Sequence, residues 1–233
     1  MDFETGEVLL IDKPTDWTSF DVVNYVRSLI KRFEGIKKLK VGHAGTLDPL
    51  ATGLLILCTG KQTKQIDNYQ GMDKVYVGTM QLGVTTPTYD TESEPDAHFS
   101  VDAITPEQIE ETRKKFLGTI EQIPPIYSAI KIDGKRAFDY ARKKQEVKLM
   151  PRPVCINEFT VDSTNFPELS FYVCCSKGTY IRSLVYDFGK ALQNGACMTS
   201  LRRTQIGDFS IEKAWKIEDL KQAIIDNSKE LEK

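Results

Sequence analysis

The stretch that most constrains the fold is Val41 to Gly60, which reads VGHAGTLDPLATGLLILCTG. Leu54-Leu55-Ile56-Leu57-Cys58 is apolar without a break. Alternation would signal a strand with one wet face, whereas a continuous run suits a strand buried on both faces. Gly42, Gly45 and Gly53 precede or open that run, so the backbone there can take positive φ or approach another group closely. A single carboxylate, Asp48, lies between Leu47 and Pro49, with no other charge from Val41 to Gly60. An acid at the mouth of a buried strand is a candidate catalytic group. Asp before Pro is also a common helix start, with Asp as N-cap and Pro at N1. A phosphate-loop reading fails, because six residues separate Gly53 from Gly60 and Gln62 follows Lys61. A Walker motif needs four residues there, then Ser or Thr after the Lys.

The 233 residues, 40% hydrophobic and 27% charged, allow one sizeable core and a single domain over 1–233. No apolar run approaches the ~20 residues of a membrane span, and the acidic start MDFETGEVLL is unlike a signal peptide. A cytoplasmic protein with no membrane contact is expected. The five cysteines form no C-x-x-C pair, and His43 and His98 are the only histidines, so neither a disulfide framework nor a metal site is indicated. The net charge is −2, but it is segregated. Arg27, Lys31, Arg32, Lys37, Lys38 and Lys40 face only Glu34 in their stretch. A second basic stretch runs from Lys131 to Arg152, while Asp90 to Glu111 is acidic with no Lys or Arg. Such segregation can give a basic face for nucleic acid, or simply solvated helix faces.

Along the chain, Gly6 to Ile11 reads as a strand ended by Asp12-Lys13-Pro14. Ser19 is placed to cap a helix over Phe20 to Phe33. Lys61 to Tyr69 reads as a short helix. Asp73 to Gly83 alternates like a strand, with Tyr76, Gly78 and Met80 on one face. Tyr76 beside a residue with no side chain leaves room for a flat group against its ring; a cross-strand aromatic is the ordinary alternative. Thr85 to Val101 reads as an acidic surface loop or a hairpin insert. Thr105, Pro106 and Gln108 form a capping-box start, with Gly118 as terminator. Ile126 to Val147 reads as a strand, a Gly turn and a short basic helix, and Val154 to Ser163 with Glu168 to Cys175 as paired strands. A helix starts near Thr179, with Tyr180 and Arg182 in its first turn, where a cation opposes the helix dipole. Trp215 to Asn227 reads as a terminal helix.

Taken together, GEVLLIDKPTDWTSFDVV, GHAGTLDPLATGLL, Lys74-Val75-Tyr76, SKGTYIRSLVYDFG and CMTSLRRTQIGDFS resemble the motifs of the TruB family of tRNA pseudouridine synthases. The resemblance runs from about Gly6 to Phe209. It implies an α+β pseudouridine-synthase fold, a largely antiparallel central sheet flanked by helices. A basic, thumb-like RNA-gripping segment is expected at about 124–152. Ser210 to Lys233 is too short for the RNA-binding PUA domain that many members carry, so none is expected.

The family's reaction isomerises uridine 55 in the TΨC loop of tRNA. By resemblance Asp48 is the nucleophilic aspartate, and Arg182 is the countercharge that supports it. Tyr76 stacks on the flipped base, while Tyr180 and Leu201 complete its pocket. His43, otherwise an ordinary loop histidine, fills the space the base vacates. No cofactor and no metal are implied; the partner is the T-arm of tRNA, and a monomer is expected. The competing readings are an RNA-binding helper of tRNA folding and a guide-RNA-dependent synthase. A glycosidase fits poorly, since it needs two carboxylates about 5–10 Å apart.

Overall fold

The computed structural model describes residues 1–128, 130–132, 135–136, 140 and 149–231. Thirteen strands are named among them. In chain order they are β1 (Val8–Lys13), β2 (Val41–Ala44), β3 (Thr52–Thr59), β4 (Lys74–Leu82), β5 (Val84–Thr85), β6 (Ala97–His98) and β7 (Gly118–Gln122), then β8 (Lys131–Ile132), β9 (Lys135–Arg136), β10 (Arg152–Asp162), β11 (Glu168–Cys175), β12 (Ala196–Ile206) and β13 (Phe209–Ser210). The helices are α1 (Ser19–Phe33), α2 (Ile66–Gly71), α3 (Pro106–Lys114), α4 (Ile181–Ala191) and α5 (Ile217–Leu231). The basic helix expected after Gly134 lies outside the described residues.

The chain divides into two compact units, one of residues 1–76 and 201–233 and the other of residues 77–200. In the first unit β3 is the organising strand. It pairs antiparallel with β1 along one edge, from Val8↔Cys58 to Lys13↔Gly53. Its other edge holds β12 in parallel at Thr52 and Gly53, then β2 antiparallel from Ile56 to Thr59. Every side chain of the apolar run is therefore covered. Leu55 and Leu57 turn to one side, where they meet Val22, Val26 and Ile30 of α1 and Leu220 and Ile224 of α5. Leu54, Ile56 and Cys58 turn to the other, against Ala44, Ile206, Tyr69 and Phe209. A strand clad on both faces cannot alternate, as the sequence predicts.

Three local features differ from expectation. The N-cap of α1 is Thr18, not Ser19: its hydroxyl accepts from the Asp21 amide, and Asp21 closes a capping box. Ser19 is the first helical residue and buried, which frees its hydroxyl for another task. Asp12 and Lys13 extend β1 rather than ending it. Gly60–Gln65 is a 3₁₀ turn leading into α2, in place of one helix from Lys61.

The second unit is ordered β12-β4-β11-β10-β7, with β10 antiparallel to both β7 and β11. The alternating burial of β11 sends Leu169, Phe171, Val173 and Cys175 inward. α4 lays Leu184, Val185 and Phe188 into the same core, and Phe188 meets Phe159 of β10 edge-on at 5.9 Å. α3 carries the predicted capping box, Thr105 with Gln108. The room left by Gly78 is not open: a Cβ there would fall 2.6 Å from the Phe171 ring and 2.4 Å from the Ser200 carbonyl. The flat group that Gly78 admits is a core phenylalanine.

Gly53, near the start of β3, is the most tightly enclosed glycine of the first unit. Its φ is +104°, and a Cβ would lie 2.2 Å from the Arg203 carbonyl oxygen. Gly53→Ala is expected to lower the free energy of unfolding by at least about 1–3 kcal/mol, the order of cost of a side chain in strained backbone. Gly71→Ala, in helical backbone with nothing within 4 Å, is expected to be neutral or slightly stabilising. Urea unfolding of the two variants distinguishes them; equal effects would contradict this reading.

Candidate active site

Asp48 sits on the connection from β2 to β3, and no helix follows it. The Ala51 amide bonds back to the Asp48 carbonyl at 3.1 Å, closing a turn with Pro49 at its second position. The turn is held from several directions. Ser19 Oγ accepts from the Leu47 amide at 2.8 Å and lies 3.2 Å from the Leu47 carbonyl, to which it donates. The Asp16 amide donates to the Pro49 carbonyl at 2.9 Å, with Asp16 itself at φ +64°. Lys13, 0% exposed, donates to the carbonyls of Trp17 (2.6 Å), Pro14 (2.8 Å) and Pro49 (3.1 Å). Arg203, 1% exposed, donates from Nε to the Leu54 carbonyl and from Nη2 to the Gly45 carbonyl. Both sides of the turn are thus anchored through main-chain atoms.

These groups share one electrostatic field. Burial pulls the Lys13 ammonium down from 10.5 to about 8, and the Asp48 charge is the chief influence resisting it. His43, on β2, is held below the ordinary 6.5 by burial and by the Arg203 guanidinium, against a weak pull from the Gly45 backbone. Its imidazole is accordingly neutral at pH 7, and its buried Nδ1 makes no hydrogen bond of normal geometry among the described residues. Tyr76 and Leu201 are buried in the same unit, and Thr204 Oγ1 reaches the Val75 carbonyl at 3.4 Å, keeping these parts of β4 and β12 together.

Arg182 and Tyr180 belong to the second unit. Arg182, 4% exposed, is no surface arginine. Nη1 donates to the Thr88 carbonyl (3.0 Å), Nη2 to the Tyr127 carbonyl (2.9 Å), and Nε lies 3.5 Å from Asp90 Oδ2. The charge explains its cost at a helix N-terminus: buried cations persist when acceptors and an anion surround them. Tyr180, the N-cap of α4, exchanges two hydrogen bonds between its backbone and the Gln122 amide, and the Arg152 guanidinium lies 5.0 Å from its ring centroid.

The comparisons with known proteins agree over nearly the whole chain. Residues 31–181 match the model of the TruB family pseudouridylate synthase N-terminal domain, and residues 182–233 that of the tRNA pseudouridylate synthase B C-terminal domain. The chain belongs to the TruB family. It is 53% identical over 218 residues to tRNA pseudouridine synthase B of Phocaeicola vulgatus, covering 94% of this chain and 93% of that protein. It is 47% identical to the protein of the same name from Parabacteroides distasonis, covering 100% and 99%. Among solved structures it is similar to a chain of a Cbf5-Nop10-Gar1 complex, with a TM-score of 0.71 and 29% identity. That match covers 94% of this chain and 54% of the other. The fold is the mixed α+β fold of pseudouridine synthases.

Of the residues that the TruB resemblance singles out, Asp48, His43, Tyr76 and Leu201 fall in the first unit and Tyr180 and Arg182 in the second. Lys13, Ser19, Arg203 and Asp90 were not assigned a part in the site from the sequence. The acidic segment from Thr85 is only partly a surface loop, since Thr86, Thr88 and Asp90 are buried within it. Among the described residues no group of three or more His, Cys, Asp and Glu is placed to hold a metal ion, and no helix is long and apolar enough to cross a membrane.

One partly buried acid of α4 works against stability at neutral pH. Burial raises the Asp187 carboxyl from 3.8 to about 6, with the Lys190 ammonium opposing only in part. A raised native value means that the native state holds the proton more tightly than the unfolded chain. The associated stability is present below about pH 4 and is lost as pH rises through about 6. Asp187→Asn is therefore expected to raise the free energy of unfolding at about pH 7.5 by about 1–2 kcal/mol, allowing for solvent screening, and to change it little near pH 4. Urea unfolding at the two pH values checks this; a destabilised variant at the higher pH would contradict it.

Proposed function

We propose that this chain isomerises uridine 55 in the T-loop of tRNA to pseudouridine, in the cytoplasm and as a monomer. The observation that carries the reading is the Asp48 turn: a single carboxylate on a backbone anchored by Lys13, Ser19 and Arg203, in a TruB-family chain. The reaction breaks the bond from ribose C1′ to N1, turns the base, and joins C1′ to C5. C5 gives up its hydrogen and N1 ends protonated, so atoms balance without redox change or an imported group. An ionised carboxylate suits each route to that exchange: attack on the sugar, attack on the pyrimidine, or removal of a ribose proton.

The target base lies inside a folded loop and must be extruded, at a cost of a few kcal/mol. Stacking on an aromatic ring returns about 1–3 kcal/mol, and Tyr76 is assigned that role, with Tyr180 and Leu201 completing the pocket. His43 is assigned the space the base leaves, a place that suits a neutral imidazole. Arg182 is assigned the countercharge for Asp48. Basic side chains along the phosphate backbone make binding salt-dependent, and the shape of the T-loop with its splayed bases supplies specificity.

Tritium release from an unmodified tRNA transcript labelled at uridine C5 tests the reading. Wild type is expected to release tritium without a guide RNA, and to stop when the T-loop uridine is replaced by cytidine. Asp48→Asn is expected to bind the transcript with affinity within a few-fold of wild type and to release none. Residual turnover by pure Asp48→Asn would remove the nucleophile assignment. Release that appears only when a guide RNA is supplied would place the chain with guide-dependent synthases, and binding without release would favour the tRNA-folding reading.

A further inference from the structure

A stacked pair of tyrosines lies beside Arg182 and the loop that faces it. The rings of Tyr89 and Tyr186 lie 4.0 Å apart at 17°, close to parallel. Tyr186 follows Arg182 by one helical turn on α4, so both side chains leave the same face of the helix. Tyr89 lies between Thr88 and Asp90, the two loop residues that face Arg182 through a carbonyl and a carboxylate. One helix face therefore offers a guanidinium and a ring, and one short loop meets them with an acceptor, a ring and an anion.

The loop backbone is bent to achieve this. Tyr89 has φ +66°, the left-handed region that a bulky residue rarely adopts. Extended backbone alternates its side chains between two sides; the turn at Tyr89 breaks that alternation. The bend is fixed by two local bonds, Tyr89 N to the Thr86 carbonyl and Thr86 Oγ1 to the Asp90 carbonyl, and by one from β12, Met198 N to the Tyr89 carbonyl. The Lys190 ammonium, one helical turn further on, lies 5.7 Å from the Tyr186 centroid. None of these contacts involves a tyrosine hydroxyl, so the planar ring is the part that the geometry uses.

We propose that Tyr89, through its stack on Tyr186, is a positioning residue that sets the placement of Asp90 and the Thr88 carbonyl on Arg182, and thereby the rate of the chemical step. The inference rests on the function proposed above. It makes Tyr89 and Tyr186 one device: losing either ring removes the peg, and losing the second removes nothing more.

Single-turnover tritium release at saturating enzyme tests it, alongside KM and circular dichroism. Tyr89→Phe is expected to match wild type within two-fold. Tyr89→Ala is expected to slow the chemical step at least ten-fold with KM changed less than three-fold. Tyr186→Ala is expected to do the same, and the double variant to be no slower than either single one. Should an alanine variant misfold, Tyr89→Leu keeps apolar bulk without a planar face and carries the same expectation. A folded Tyr89→Ala or Tyr89→Leu enzyme within two-fold of wild type would overturn the inference and leave the proposed function intact. So would multiplicative losses in the double variant, since they would mean independent packing roles. A wild-type chain that releases no tritium would overturn the proposed function, and this inference with it.

Discussion

Two buried cations whose hydrogen bonds go to the main chain hold the first unit's site in place. Lys13 and Arg203 have almost no exposure, and their donors are used on the carbonyls of Pro14, Trp17, Pro49, Leu54 and Gly45. A buried charge is costly unless surrounded by acceptors. Here the Pro49 carbonyl belongs to the turn that carries Asp48, and the Gly45 and Leu54 carbonyls lie on either side of it, so bonds that satisfy the cations also help to fix the turn. The Asp48 charge is also the chief influence favouring charged Lys13. The carboxylate and its scaffold are therefore electrostatically coupled.

The strands explain how such residues reach the turn. Lys13 ends β1, paired with Gly53, and Arg203 of β12 is paired with Gly53 from the other edge. Gly53 is the shared neighbour, and its missing side chain is what allows the Arg203 backbone to approach. The period of two along β12 separates Arg202 from Arg203. Arg202 points to a bidentate pair with Asp12 at 2.8 and 2.9 Å, half in solvent, and Arg203 points inward. The second unit repeats the same solution with Arg182, whose partners are two carbonyls and Asp90.

Much of this architecture was legible in the chain. The unbroken run Leu54–Cys58 forecast a strand covered on both faces, the Thr105–Gln108 capping box forecast α3, and the β10–β11 pair followed from two apolar stretches either side of a turn. The TruB motifs pointed to Asp48, His43, Tyr76, Tyr180, Arg182 and Leu201. The supporting residues were hidden for a physical reason. Lys13 and Arg203 have main-chain partners, and a carbonyl has the same identity at every position, so no sequence pattern marks the pairing. Arg202 and Arg203 look alike until the strand register separates them. Asp90 was masked by the acidic segment around it, whose composition suggested solvent. Ser19 lost its predicted cap to Thr18, because Asp21 completes a box only with the earlier residue.

The most direct measurement of the central claim is amide hydrogen exchange on the folded Lys13→Met variant. Methionine keeps the length of the side chain and removes the three donors. If the buried ammonium holds the Asp48 turn, the amides of Asp16, Leu47 and Ala51, which lock it to Pro49, Ser19 and Asp48, lose protection while those of β7 and β10 do not change. Unchanged protection of those three amides in a folded variant would contradict the account, and would mean that Arg203 and Ser19 hold the turn without Lys13.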